Sequence, residues 1–163
     1  MAPAAAPART YVAGISNGGY LARWAVERNP RMYDGALDWE GTLFLADGPN
    51  ILTYLPVALR NYPEYELTGS KEAHVYSRMV RAAGRGRLHR YYVIEEGNHV
   101  DGLYDDYPER LRPMLPCVRA AFMALERWVE RDAVPPKSGF VARPDHGDVV
   151  NACAIGRAAY RAG

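Results

Sequence analysis

The stretch that decides the fold is residues 10–19, TYVAGISNGG. Its first residues form an apolar run typical of a short buried strand, and residues 17–28 that follow have the apolar spacing of a helix. The junction reads Gly-x-Ser-x-Gly, a pattern that carries chemical meaning when it lies between a strand and a helix. Such a turn exposes and aims the hydroxyl of Ser16 as a nucleophile. The alternative is a glycine-rich turn in which Ser16 only caps the helix.

Alternating strand and helix patterns continue along the chain and indicate the α/β class with a mainly parallel sheet flanked by helices. The further candidates are a strand over residues 36–40, a short or bent helix over 51–60, a helix over 71–83, a strand over 88–95 and a long helix over 115–131. In such a sheet, functional sites lie outside the carboxyl ends of the strands, where Ser16 is expected.

The length of 163 residues predicts a single compact domain over 1–163, with residues 1–9 as a flexible lead-in and 135–163 as an irregular tail. The net charge of +1 gives no electrostatic basis for binding nucleic acid. No stretch is long and apolar enough to cross a membrane. The two cysteines, Cys117 and Cys153, are either buried thiols or one disulfide that ties the tail to the long helix. A disulfide would indicate an oxidising compartment and fit a secreted protein.

The second informative stretch is residues 97–102, GNHVDG, directly after the strand over residues 88–95. Parallel strands place their carboxyl ends at one edge, so His99 and Ser16 are expected to lie close together. An imidazole there can take the serine proton and return it to the leaving group near neutral pH. The alternative for His99 is local hydrogen bonding in a loop. The other three histidines, at positions 74, 89 and 146, are expected to be structural or solvated.

A carboxylate that orients His99 is expected between Ser16 and His99 in the sequence. Glu72 is the first candidate because it stands at the start of the helix over residues 71–83. Its alternative role is that of an acidic residue in a first helical turn. Further candidates are Asp38, Glu40 and Asp47. Asp101 lies too close to His99 in the sequence to be preferred.

Other chemistry has little support in the sequence. There is no cysteine–histidine cluster with zinc spacing and no glycine-rich phosphate loop after a strand, so neither a metal nor a cofactor is expected. Tyrosines in two loops, including Tyr65 and Tyr104, are candidates for lining an apolar substrate pocket. Their alternative role is packing.

Five segments together resemble one group of enzymes: residues 11–20, 33–35, 38–42, 97–102 and 124–130. The group is that of the α/β-hydrolase esterases similar to tannase, feruloyl esterase and 3-hydroxybutyrate-oligomer hydrolase. The resemblance extends from about residue 10 to about residue 155. It implies an α/β-hydrolase-like fold, Ser16 as nucleophile and His99 as base. It also implies an oxyanion donor at the backbone N–H of Asn17, beside Gly18.

The chain departs from that group in two places. The elbow begins at residue 14, whereas members of the fold have several strands before it, and the segment between residues 65 and 75 is short. We therefore expect fewer strands than the fold usually has. Unpaired strand edges would also favour a homo-oligomer.

These features predict a serine carboxylic-ester hydrolase that acts through an acyl-enzyme on a small-molecule or polymeric ester, with Ser16, His99 and Glu72 as its catalytic residues. The alternative is a catalytically impaired remnant of such a hydrolase that serves as a binding or oligomerisation module.

Overall fold

The computed structural model describes residues 6–45, 72–99, 101–145 and 147–155. In chain order its elements are β1 (Tyr11–Ile15), α1 (Asn17–Arg28), β2 (Gly35–Trp39), α2 (Glu72–Ala82), β3 (Tyr92–Ile94), α3 (Leu103–Asp106), α4 (Leu115–Arg131) and β4 (Gly139–Val141). A 3-10 turn, Gly86–Leu88, lies between α2 and β3. Helices alternate with short strands, as predicted for the α/β class. The predicted helix over residues 51–60 lies outside the described residues.

The first structural unit is the β1–α1–β2 segment. β1 and β2 pair in parallel, with register from Tyr11 opposite Gly35 to Ile15 opposite Trp39. Gly35 is buried against α4. A methyl group of Leu125 in α4 lies 3.0 Å from the position that a Cβ on Gly35 would occupy. The predicted strand and helix at the start of the chain are thus confirmed, and the second strand lies one residue earlier than expected.

The second sheet pairs β3 with β4, again in parallel, with Tyr92 opposite Gly139 and Ile94 opposite Val141. β3 spans fewer residues than the strand predicted over 88–95. β4 was not predicted, because three residues after a Pro-Pro pair carry no readable periodicity. In the described part of the chain the strands form two two-stranded sheets, so the prediction of one mainly parallel sheet was only partly right.

α4 spans the residues predicted for the long helix and supports both sheets. Phe122 packs edge-on against Tyr11 of β1, with ring centroids 5.6 Å apart. The buried cluster of Cys117, Val141 and Ile155 joins α4 to the second sheet and to the tail.

A disulfide between Cys117 and Cys153 attaches the C-terminal segment to α4. Of the two states considered for these cysteines, the disulfide is therefore the observed one. Cys117 is itself a member of the buried cluster, so the disulfide ties the C-terminal segment to the part of α4 that packs against Val141 of β4.

None of the described helices is both long and apolar enough to cross a lipid bilayer.

Candidate active site

Ser16 occupies a strained turn between β1 and α1. Its backbone angles, φ 56° and ψ −123°, are rare for a residue with a side chain. The turn is tight: a Cβ on Gly14 would lie 2.1 Å from the carbonyl oxygen of Gly18, so only glycine fits at position 14. The predicted strand–turn–helix arrangement is therefore present, and Ser16 forms no side-chain cap on α1. This geometry agrees with an aimed hydroxyl rather than a capping one.

His99 lies in the loop after β3 and meets a carboxylate that follows β2. Its Nδ1 is 2.5 Å from Glu40 Oε2. The two side chains are 49% and 35% exposed, so the pair lies at the rim of the site. With Nδ1–H donating to Glu40, the neutral ring presents Nε2 as a proton acceptor. The segments that follow β2 and β3 thus meet, although the two strands belong to different sheets.

Ser16, Glu40 and His99 line one cavity of about 860 Å³ between the two sheets. The described hydrogen bonds do not include one between the Ser16 hydroxyl and the His99 ring. In unliganded enzymes such bonds are often long and tighten only when substrate binds. The cavity therefore brings together the two residues that the sequence singled out, without a direct bond between them.

The candidate acids have different positions. Glu72 is the first residue of α2, and its side chain lies outside the described part of the chain, so its role stays a prediction. Asp47 is also outside the described residues. Asp38 is engaged by an arginine of α1. Glu40, one of the further candidates, is the carboxylate in contact with Nδ1, and its φ of 49° is another strained backbone angle. Asp101 instead accepts hydrogen bonds from the backbone N–H groups of residues 114 and 115 at the start of α4.

The loop that carries His99 is fastened to the segment before α4. The backbone N–H of Arg112 donates to the carbonyl of Glu96 at 2.7 Å, and Gly97 forms a parallel bridge with Arg112. The guanidinium of Arg112 is buried and donates to the carbonyl of Ala142 at 3.0 Å. These bonds fix the end of β3, so the position of His99 depends on residues far along the chain.

The loop that carries Glu40 is held by Arg23 of α1, which the sequence analysis did not single out. Arg23 is 6% exposed and its Nη1 lies 2.9 Å from Asp38 Oδ2. Its Nη2 donates to the carbonyls of Gly41 and Thr42. Burial raises the pKa of Asp38, and the Arg23 charge and the Gly41 N–H act in the opposite direction. The sequence carries no signal for this role, since the apolar residues of α1 do not mark the side on which Ala22 and Arg23 are buried.

The expected oxyanion and substrate-binding residues are only partly placed at the site. The backbone N–H of Asn17, at the start of α1, has no hydrogen-bond acceptor among the described residues. Gly18 has open space around its Cα, since a Cβ there would meet nothing within 4 Å. Tyr104 lies in α3 and is not among the described residues that line the cavity. Tyr65 is outside the described part of the chain.

One wall of the cavity holds a polar cluster that the sequence did not predict. The hydroxyl of Tyr76 donates to Glu27 at 2.6 Å, and burial together with that carboxylate raises the pKa of Tyr76. His89 packs edge-on against Tyr76. Burial lowers the pKa of His89, and the positive charges of nearby arginines lower it further. His74 packs against Tyr91, as expected of a structural histidine.

Within the described ranges, no group of three or more His, Cys, Asp or Glu side chains is placed to hold a metal ion. Comparisons of the chain with models of protein families, with curated proteins and with solved structures found no match. The site is therefore interpreted from its own geometry.

Proposed function

We propose that the protein is a serine carboxylic-ester hydrolase of the α/β-hydrolase type, with Ser16 as nucleophile, His99 as general base and Glu40 as the acid that orients His99. The observation that carries the proposal is the contact between His99 Nδ1 and Glu40, at the mouth of a cavity that Ser16 also lines. A nucleophile, a base and a third group that orients the base are the parts required for covalent acyl transfer.

In the proposed mechanism, Ser16 Oγ attacks the ester carbonyl while His99 Nε2 takes the hydroxyl proton. The tetrahedral oxyanion accepts a hydrogen bond from the backbone N–H of Asn17, where the partial positive charge of the α1 N-terminus also favours it. Collapse of this intermediate expels the alcohol, which receives the proton from His99. Water, deprotonated by the same ring, then hydrolyses the acyl-serine.

Glu40 has two functions in this scheme. Its carboxylate accepts a hydrogen bond from Nδ1–H, which keeps the proton on Nδ1 and leaves Nε2 unprotonated when the substrate arrives. It also stabilises the imidazolium ion that forms when His99 takes the serine proton. Because the charge of Glu40 is opposite to the charge that develops on the ring, the attraction is largest in the transition state.

The cavity supports an ester with a sizeable acyl or alcohol group. Its wall on the α4 side is apolar and includes Val118, Ala121, Leu125 and Trp128. Pockets of 300–1,000 Å³ are typical of small-molecule sites, and this cavity has about 860 Å³. A small ester or the end of a polymeric ester fits this space.

The test is hydrolysis of p-nitrophenyl acetate by the full chain. We expect a burst of p-nitrophenol as the acyl-enzyme forms, followed by slower turnover. A fluorophosphonate should label Ser16, as located by mass spectrometry, and Ser16→Ala should abolish both the burst and the label. Equal activity in the wild type and in Ser16→Ala would rule out the proposal and favour the non-catalytic binding module.

A further inference from the structure

Arg23 joins the helix of the nucleophile to the loop of the acid. It lies on α1, which begins directly after Ser16, and its guanidinium reaches three acceptors at the end of β2 and on the segment after it. These are the carboxylate of Asp38 and the carbonyl oxygens of Gly41 and Thr42. Glu40 lies between these acceptors in the sequence. The backbone on both sides of Glu40 is therefore held by one side chain.

The Asp38 carboxylate is tightly enclosed, so the loop that carries Glu40 has little room to move. A Cβ on Gly19 would lie 2.0 Å from Asp38 Oδ1, and a Cβ on Gly41 would lie 2.2 Å from the same atom. The carboxylate thus occupies a gap between the two glycines. Because Arg23 sets the position of Asp38 and of the Gly41 carbonyl, it also sets the path of the chain through Glu40.

Two further bonds connect this loop to the nucleophile turn. Thr42 Oγ1 donates to the side-chain oxygen of Asn17 at 3.0 Å, and Thr42 N–H approaches the carbonyl of Ser16 at 3.4 Å. The acid loop and the turn that carries Ser16 are therefore one hydrogen-bonded unit. Arg23 supplies its charged and most buried contacts.

We propose that Arg23 is a positioning residue of the catalytic site: it holds the Glu40 carboxylate against His99 Nδ1. This inference rests on the proposed function. The strained φ of 49° at Glu40 supports it, because such a backbone persists only where the surrounding structure fixes it. The described contacts of Arg23 are with the loop around Glu40 and not with the His99 ring or the Ser16 hydroxyl, so its effect on the reaction is indirect.

The planar guanidinium is suited to this task. It presents several N–H donors in a rigid fork, so it can bind a carboxylate and two carbonyl oxygens at once with little loss of side-chain freedom. A lysine at position 23 would keep the charge opposite Asp38 but not the fork. The central carbon of the Arg23 guanidinium also lies over the Tyr76 ring, 4.4 Å from its centroid, a cation–π contact that helps to hold the side chain in place.

The first experiment compares the steady-state hydrolysis of p-nitrophenyl acetate by the wild type, Arg23→Gln, Arg23→Lys and Arg28→Gln. We expect Arg23→Gln to lower kcat about 100-fold with KM unchanged, since a displacement of about 1 Å in catalytic geometry has an effect of this size. Arg23→Lys should lose less. Arg28→Gln is the matched control: Arg28 is an exposed arginine on the same helix whose guanidinium lies over the Trp24 ring, and its replacement should leave kcat unchanged.

The second experiment asks whether Arg23 acts through Glu40. If it does, adding Arg23→Gln to Glu40→Gln lowers kcat no further than Glu40→Gln alone. A general loss of structure would instead multiply the two effects, and that result overturns the proposal. Full kcat in Arg23→Gln also overturns it.

A spectroscopic measurement covers the case in which Arg23→Gln does not fold. The proton shared by His99 Nδ1 and Glu40 should give a far-downfield NMR signal in the wild type that disappears in Glu40→Gln. The signal should weaken in Arg23→Lys. If Arg23→Lys matches the wild type in both the NMR signal and kcat, the guanidinium is not needed to position Glu40, and the proposal is refuted. If the wild type hydrolyses no ester, the proposed function fails, and the NMR signal still tests whether Arg23 holds Glu40.

Discussion

Replacing Glu40 with glutamine is the most direct test of the catalytic assignment. The substitution keeps the size of the side chain but removes its negative charge. A glutamine amide can also donate as well as accept a hydrogen bond, so it no longer requires the proton of His99 to be on Nδ1. For a buried acid of this kind, loss of the carboxylate lowers kcat about 10⁴-fold. The Glu40–His99 pair is instead 35% and 49% exposed, so water weakens the interaction.

The expected size of the effect follows from the charge of the imidazolium ion. Two unit charges about 4 Å apart attract by about 1 kcal/mol in water and by about 4 kcal/mol at the effective dielectric constant of a protein surface. At about 1.36 kcal/mol for each tenfold change in rate, these limits correspond to losses of about fivefold and about a thousandfold. We expect the loss of kcat in Glu40→Gln to lie between these two limits, and therefore to be smaller than the loss of about 10⁴-fold that follows removal of a buried acid.

The assay is the turnover of p-nitrophenyl acetate, with Glu72→Gln measured in parallel because Glu72 is the acid that the sequence favoured. If Glu40 orients His99, Glu40→Gln loses activity and Glu72→Gln keeps it. The reverse result would show that Glu72 is the acid, and that the contact of Glu40 with His99 has no part in catalysis.

Three further predictions concern the fold. Gly14→Ala should lower the free energy of unfolding by roughly 1–3 kcal/mol, as overpacking does, because the new Cβ meets the carbonyl of Gly18 in α1. The matched control in urea denaturation is Gly102→Ala, because a Cβ at position 102 would meet open space. Equal stabilities of the two variants would contradict the reasoning. His89, whose pKa is lowered by burial from 6.5, should make the protein less stable as pH falls below about 6.5, since the unfolded chain then binds a proton that the folded protein excludes. The slope should approach about 1.4 kcal/mol per pH unit at most, and a slope that persists in His89→Asn would show that another group is responsible. Replacing both Cys117 and Cys153 with serine should lower the free energy of unfolding by about 2–4 kcal/mol, as measured by thermal unfolding, because the disulfide constrains the unfolded chain. A double variant as stable as the wild type would contradict this stabilising role of the disulfide.

The start of the fold could be predicted because its signals are local. The apolar run before Gly14 and the periodic residues after Asn17 set β1 and α1 directly. For these elements, neighbouring residues carry enough information. His99 was expected beside Ser16 at the edge of one sheet; the two residues line the same cavity, but the strands that precede them belong to different sheets.

The carboxylate that contacts His99 could not be identified from the sequence alone. Glu72 begins a clear helix, whereas Glu40, whose φ angle is positive, contacts His99 from 59 positions away in the sequence. That angle depends on contacts made by Arg23, which lies elsewhere in the sequence. β4 was missed for a related reason, since its three residues are ordered by pairing with β3.

Arg23 also shows why a buried cation escapes sequence patterns. A charged residue on a helix is normally assigned to the solvent side. Here the partner, Asp38, lies on a strand of the sheet, and only the folded chain brings the two charges together. The apolar periodicity of α1 contains no trace of that pairing.

The left-handed backbone at Ser16 and Glu40 has a consequence for how the protein can evolve. Each such angle disfavours the native state by about 1–3 kcal/mol, and glycine would remove that penalty at either position. A lineage selected only for heat resistance would therefore tend to lose these two side chains first. Retention of both amino acids under such selection would mean that the side chains themselves contribute to fitness.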